Sequence, residues 1–263
     1  MTGNAHAPLL VLWDIDQTLI EGGTVTHRAY AAAFHRATGR TLEHPWQFNG
    51  RTELAAATEV LRAHGLDPGN GLLDAFIELI VVELHDRADE LAATGRILPG
   101  AVEALTAVGA VAGVHQSVLT GNLYPLALLK LELFGLMGHF DTRIGAYGGD
   151  AWERSDLPDH AFRRAARHLG RRFHGADTVI IGDTRRDVET AHAAGARAVA
   201  VATGTTSAAE LTAAGADVVL PDLSDTAAVL RAVTARDPVP LRRTVGAATD
   251  HVAERAPRQR PVG

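Results

Sequence analysis

Two carboxylates, Asp14 and Asp16, stand one residue apart directly after the apolar run LLVLW at 9–13, and Thr18 follows two residues later. An apolar run that ends in acids reads as a buried strand with chemistry at its mouth. Thr120, Gly121 and Asn122 follow a second such run, HQSVLT at 115–120, while Asp183 and Asp187 follow TVIIGD at 178–183. Ligands of open parallel sheets bind beyond the carboxyl ends of the strands, where strand order reverses. These groups are therefore expected to meet at one sheet edge. Four acids in one crevice would raise one another's pKa, and a divalent cation with oxygen ligands relieves that repulsion. Mg²⁺ suits it, since it takes one or two carboxylates and keeps places for water and phosphate. Thr120 and the N–H groups of Gly121 and Asn122, at the start of a helix near 123, could hold phosphate oxygens.

Each piece alone has a blander reading. Asp16 could be a helix cap, TGN a turn, Asp183 a loop acid and Asp187 a solvated helix residue. Together they must all be bland at once, at strand ends expected to converge. Lys130 adds a separate signal. Of 25 basic residues it is the single lysine, and the rest are arginines. A lysine kept against that bias suggests a chemical need; an ordinary helix lysine is the alternative.

The 263 residues suit one large or two smaller domains, and 46% hydrophobic content supplies a core. A net charge of −6 gives no basic footprint for nucleic acid. The absence of cysteine excludes disulfides and thiolate-ligated metals. The start, MTGNAHAP, shows no signal peptide. LLDAFIELIVVEL is too short and too acidic to span a bilayer. A cytoplasmic protein with neither nucleic-acid nor membrane partners is expected.

Strand-like runs at 9–13, 115–120, 142–147, 178–183, 197–203 and 217–222 alternate with helical patterns at 100–111, 123–135, 157–170, 185–194, 207–214 and 224–235. That alternation predicts an α/β fold with a parallel sheet. Gly195 and Gly215 fall where helices end, and Ser207 and Ser224 where they begin. Residues 22–95 break the rhythm with helical periodicity and no convincing strand. They predict a smaller helical domain, with EGG (21–23) and ATGRILPG (93–100) as hinges. The core is then 1–21 plus 96–236, and the Pro- and Arg-rich 237–263 a weakly ordered tail.

Asp14-Ile15-Asp16-Gln17-Thr18, SVLTGN and IIGDTRRDVETAHAAG resemble, in that order, motifs of the haloacid dehalogenase superfamily of phosphohydrolases. RAVAVATGTTSAAELTAAGADVVLPDL is similar to the usual end of such phosphatases, so the resemblance covers roughly 9–235. It implies a Rossmann-like, doubly wound parallel core with a helical cap inserted after the first strand, in a subclass that resembles phosphoglycolate phosphatases. Asp14 would be the nucleophile that forms an aspartyl-phosphate, and Asp16 the acid and then the base. Mg²⁺ would be held by Asp14, Asp183 and the Asp16 carbonyl. Asp187 would stand behind them, on a metal-bound water or the lysine. Thr120 would contact a phosphoryl oxygen. An acid at position 16 favours a phosphatase or phosphomutase over a dehalogenase or transport ATPase.

Two departures stand out. Gln17 replaces the usual glycine, and either contacts the cap or alters the turn. The usual lysine before the last motif is missing from GGDAWERSDLPDHAF. Lys130 fits relatives that supply it from the helix after the second motif; Arg185 and Arg186 would be weaker substitutes. In the cap, FNGRTE (48–53) offers Arg51 to an anionic substrate group, or as a surface residue at a helix start. Trp46 and Phe48 read as cap core.

The expected function is Mg²⁺-dependent hydrolysis of a small phosphomonoester, phosphoglycolate-like or a sugar phosphate. A phosphomutase would use the same acids. A signalling receiver domain is disfavoured by chain length, the helical insertion and Lys130 preceding Asp183. An inert binding protein has no support in the residue set. Oligomeric state is not encoded in any of these patterns.

Overall fold

The computed structural model describes residues 8–43 and 50–235. Trp46, Phe48 and the expected tail at 237–263 lie outside the described residues. The chain opens with β1 (Leu9–Trp13) and the short β2 (Ile20–Glu21). Four helices follow: α1 (Val25–Thr38), α2 (Glu53–Ala63), α3 (Leu72–His85) and α4 (Ala88–Thr94). Then come β3 (Arg96–Ile97), α5 (Ala101–Gly109), β4 (Val114–Val118), α6 (Tyr124–Leu133) and α7 (Leu157–Leu169). The chain continues through β5 (Thr178–Gly182), α8 (Arg185–Ala193) and β6 (Arg197–Val201). It closes with α9 (Ala208–Ala213), β7 (Val218–Leu220) and α10 (Thr226–Thr234).

Five parallel strands form the main sheet in the order β4-β1-β5-β6-β7. Both faces are covered, as an unbroken apolar strand requires. Val11 and Trp13 of β1 share one apolar cluster with α5, α6 and α10, while Leu10 and Leu12 share the other with α7, α8 and α9. The register sets Trp13 beside both Val118 and Ile181. The chain therefore leaves β1, β4 and β5 at one level, and Asp14, Thr120 and Asp183 emerge together. Strand order reverses at β1, which makes that edge the switch point.

Two expectations shift. TRIGAY is not a strand: Thr142–Ile144 form a 3₁₀ turn started by the Asp141 side chain, which accepts from Arg143 N at 3.2 Å. It keeps one bridge to the sheet, Ala146 against Leu119. Asp225, not Ser224, caps α10, accepting from Ala228 N at 2.9 Å. Ser207 does cap α9, and Gly195 and Gly215 take the positive φ of helix ends.

The helices between β2 and β3 form their own apolar cluster, joined by Leu123 and Leu126 of the α6 segment. β2 and β3 pair antiparallel, so the two ends of this insert are tied into a ribbon. Gly95 serves close packing there, since a Cβ would lie 2.6 Å from Phe134 Cζ. Phe76 of α3 is fully buried and meets the rings of Tyr30 and Phe34 of α1 edge-on, at centroid distances of 5.6 and 5.8 Å. Phe76→Ala is expected to destabilise the protein by about 3–5 kcal/mol, because a rigid ring cluster collapses poorly onto a cavity. Chemical denaturation measures it; a loss under about 1 kcal/mol would place the insert's stability elsewhere.

Candidate active site

Asp14 follows β1 directly, and its N–H donates to Ile181 O at 2.8 Å, which fixes the residue at the sheet edge. Asp183 follows β5, and Asp187 lies in the first turn of α8. All three acids are buried, and one carboxylate oxygen from each lies within 4.8 Å of the others. Burial pushes Asp14 up to about 7; Arg154 opposes this, while Asp187 and Asp16 add to it. Burial, then Asp187 and Asp14, holds Asp183 well above the carboxylate range.

Arg154 is the cation among them, and the sequence reading passed over it. Its Nη2 donates to Asp14 at 2.9 Å and to Asp187 at 2.6 Å. Burial disfavours its charge, but Asp187 and Asp14 more than offset that. Arg154 stands in the stretch where the usual lysine was sought, in a 3₁₀ turn leading into α7. A signal was present: it is the only basic residue between Gly148 and Leu157. Its Nε is buried without a hydrogen-bond partner, a donor left for an added acceptor.

Lys130 does not take that place. Its buried Nζ donates to Asp16 Oδ1 at 2.8 Å, to Asp16 Oδ2 at 2.7 Å and to Asn122 Oδ1 at 2.7 Å. Asn122 Nδ2 completes the group, donating to Asp16 Oδ2 at 2.7 Å and Thr120 Oγ1 at 2.8 Å. Asp187 accordingly pairs with Arg154, not with the lysine. Its other oxygen accepts from Thr184 N at 3.0 Å in a capping box, so it is no solvated helix acid.

The loop after β4 also departs from expectation. Asn122 N donates to Thr120 Oγ1 at 3.2 Å, and Gly121 O accepts from Glu53 N of the insert at 2.8 Å. The Leu123 N–H at the start of α6 donates to Glu53 Oε2 at 2.6 Å. The helix start at Leu123 is thus capped by a carboxylate, and the Asn122 side chain holds Asp16. Burial raises Glu53 to about 7, against the lowering influence of Lys130 and the Leu123 hydrogen bond. Glu53 was not recognisable in advance, because its partners lie about 70 positions away in the chain.

Thr18 is fully buried and donates to Asp183 Oδ1 at 3.2 Å, which gives the threonine of the first motif a task. Gln17 has φ +61°, the left-handed conformation that glycine favours, so its effect falls on the turn. Its carbonyl accepts from Thr203 Oγ1 at 2.5 Å.

A cavity of about 180 Å³ lies between insert and core, lined by Arg51, Thr52, Trp152, Arg154 and Arg186 among others. Arg51 borders it and pairs with Glu59 at 3.3 Å. Arg186 reaches the cavity, not the acid cluster's centre, where Arg154 stands.

An all-oxygen donor set suits a hard cation. Asp14, Asp183 and Asp187 bring three negative charges when ionised and Arg154 returns one positive, so a deficit of two remains for a divalent ion. The residues present therefore fit Mg²⁺.

No curated protein matches the sequence. Solved structures do match the fold. A hydrolase from Pseudomonas syringae superposes with TM-score 0.67 at 20% identity, over 86% of this chain and 100% of that one. A predicted phosphatase from Clostridium acetobutylicum gives 0.65 at 20%, over 86% and 100%. CbbY from Rhodobacter sphaeroides, in complex with phosphate, gives 0.65 at 21%, over 83% and 96%. The family model for haloacid dehalogenase-like hydrolases matches residues 11–192, a span that holds the end of β1, the whole insert, Arg154 and both acids after β5. The chain belongs to the haloacid dehalogenase-like hydrolases.

Proposed function

We propose that this hydrolase is a Mg²⁺-dependent phosphatase of small phosphomonoesters, working through phosphorylated Asp14. The observation that carries this is the pairing at the end of β1: a buried Asp14 fixed by Arg154, and Asp16 two residues on, half-exposed and held by Lys130. An Asp14 oxygen attacks phosphorus and the bond to the ester oxygen breaks. Asp16 gives that oxygen its proton, then takes one from the water that attacks the phosphoenzyme; phosphate leaves and Asp14 is restored. Mg²⁺, held by Asp14 and Asp183, would neutralise charge between nucleophile and phosphoryl group. Arg154 orients Asp14 and favours its ionised form against burial, and its unpaired Nε offers a hydrogen bond to a phosphoryl oxygen. Thr120 stands beside them as a further phosphate contact.

The insert acts as the cap, and Arg51 and Arg186 in the cavity suit an anionic group on the substrate's far end. A phosphoglycolate-like acid fits this better than a neutral sugar phosphate.

Phosphate release across a panel of small phosphomonoesters, with Mg²⁺ and with EDTA, tests the reading. Metal-dependent release is expected, with Asp14→Asn folded but inactive. Retained turnover in that variant would sink the nucleophile; turnover only with a bisphosphate activator would indicate a mutase.

Arg154→Met strands two buried acids and is expected to lower turnover about 10²-fold or more. It should also destabilise the fold by about 3–5 kcal/mol. Paired rate and melting measurements decide. Unchanged values for both would deny Arg154 its place.

The raised acids give a pH signature. Unfolded carboxyls ionise near about pH 4. Metal-free folded protein keeps protons on Asp14 up to about 7, and on Asp183 likewise above the usual range. The folded state thus binds more protons across that window, so these groups make stability fall as pH rises through it. Mg²⁺ competes with those protons, so its stabilising effect should grow from about pH 5 to about pH 8. Asp183→Asn should lose the Mg²⁺ response and, without metal, gain on wild type as pH rises. A pH-independent metal response in thermal melts would count against the site.

A further inference from the structure

Glu53, the first residue of α2, is 3% exposed and has no part in the steps above. It belongs to a closely docked part of the insert. Its N–H reaches Gly121 O at 2.8 Å, Leu54 N reaches Gly148 O at 3.2 Å, and Thr52 Oγ1 reaches Trp152 O at 2.7 Å. The approach depends on glycine: a Cβ at 121 would lie 2.1 Å from Arg51 O, and one at 148 would lie 1.7 Å from Gly121 O.

Within that seam the Glu53 carboxylate accepts from Leu123 N at 2.6 Å. The start of α6 has no side-chain cap of its own, so the insert supplies the anion that a helix N-terminus attracts. Leu123 lies between Asn122 and Lys130, the two residues that hold Asp16. The Lys130 charge also favours the ionised form of Glu53, which places the two within electrostatic reach. The Asp16 side chain is 41% exposed. An acid so open to solvent needs its orientation imposed, and a small misplacement of a proton donor is expensive in rate.

We propose that Glu53 is a positioning residue that couples docking of the insert to the orientation of Asp16, by fixing the first turn of α6 and, through Lys130 and Asn122, the acid itself. The proposal rests on the phosphatase reading. A proton from Asp16 matters when the leaving group is an alkoxide and hardly at all when it is a stabilised phenolate. Loss of aim should therefore be selective by leaving group, which a merely structural defect is not.

The test is first-turnover release of the leaving group, by rapid quench with Mg²⁺, from an alkyl phosphate and from 4-nitrophenyl phosphate. Wild type, E53Q, E53A, K130M and E53A/K130M are compared. E53A and K130M are expected to slow the alkyl ester about tenfold or more and the aryl ester less than about twofold. The double variant should be no slower than K130M alone, because the two act through one path. E53Q keeps shape and an acceptor for Leu123 N–H but removes the charge that the α6 N-terminus and Lys130 attract; should E53A fail to fold, E53Q must show the same selectivity in smaller degree. Equal losses on both esters would reduce Glu53 to a packing contact and overturn the proposal. So would wild-type rates, faster rates or additive losses. No Mg²⁺-dependent release from either ester by wild type would instead remove the phosphatase reading, and this proposal with it.

Discussion

The structure depends on one electrostatic constraint: three carboxylates are buried together at the ends of β1 and β5, with a guanidinium between them. Isolated, such acids would protonate or push the strands apart. Arg154 bridges Asp14 and Asp187 with one nitrogen, which leaves Asp183 with Thr18 as its hydrogen-bonding neighbour. Burial first, and then the remaining imbalance, raises Asp14 and Asp183, and the oxygen donors suit a divalent cation.

Holding that cluster together requires backbone to approach side chains closely. A Cβ at Gly204 would lie 1.9 Å from Asp183 Oδ2, and one at Gly182 would lie 2.2 Å from Asp187 Cγ. Both positions demand glycine for space, with no positive φ at either. The end of β5 and the loop after β6 are thus packed against the acids. The parallel sheet makes this possible, because its register brings three strand ends to one level.

Much of this was legible from residue pattern. The strand at 9–13, buried on both faces, carries no alternation and ends in acids, so both its type and its direction could be read. The acids after β5 follow the same logic. Arg154 escaped because a buried arginine in WERSDLPDH has no apolar periodicity around it; its partners are two acids distant in the chain, one after β1 and one in the first turn of α8. TRIGAY looked like a strand because Ile144 and Ala146 are buried, yet a side-chain cap at Asp141 turned its first half into a 3₁₀ helix. Gln17 shows the limit at single-residue scale: the left-handed turn was imposed by its neighbours, and residue type alone left the choice open.

The division of labour between two cations follows from their chemistry. Arg154 must join two acids while buried, and a planar guanidinium with five donors and weak hydration can do so without losing its charge. Lys130 serves one acid that is partly in solvent. Its compact ammonium meets both Asp16 oxygens and one amide oxygen, which uses its three donors. One nitrogen makes both contacts to Asp14 and Asp187, as an ammonium also could, but an arginine beneath Asp16 would have donors to spare. The lone lysine in an arginine-rich chain thus fits Asp16, and the arginine in the lysine's customary place fits Asp14 and Asp187.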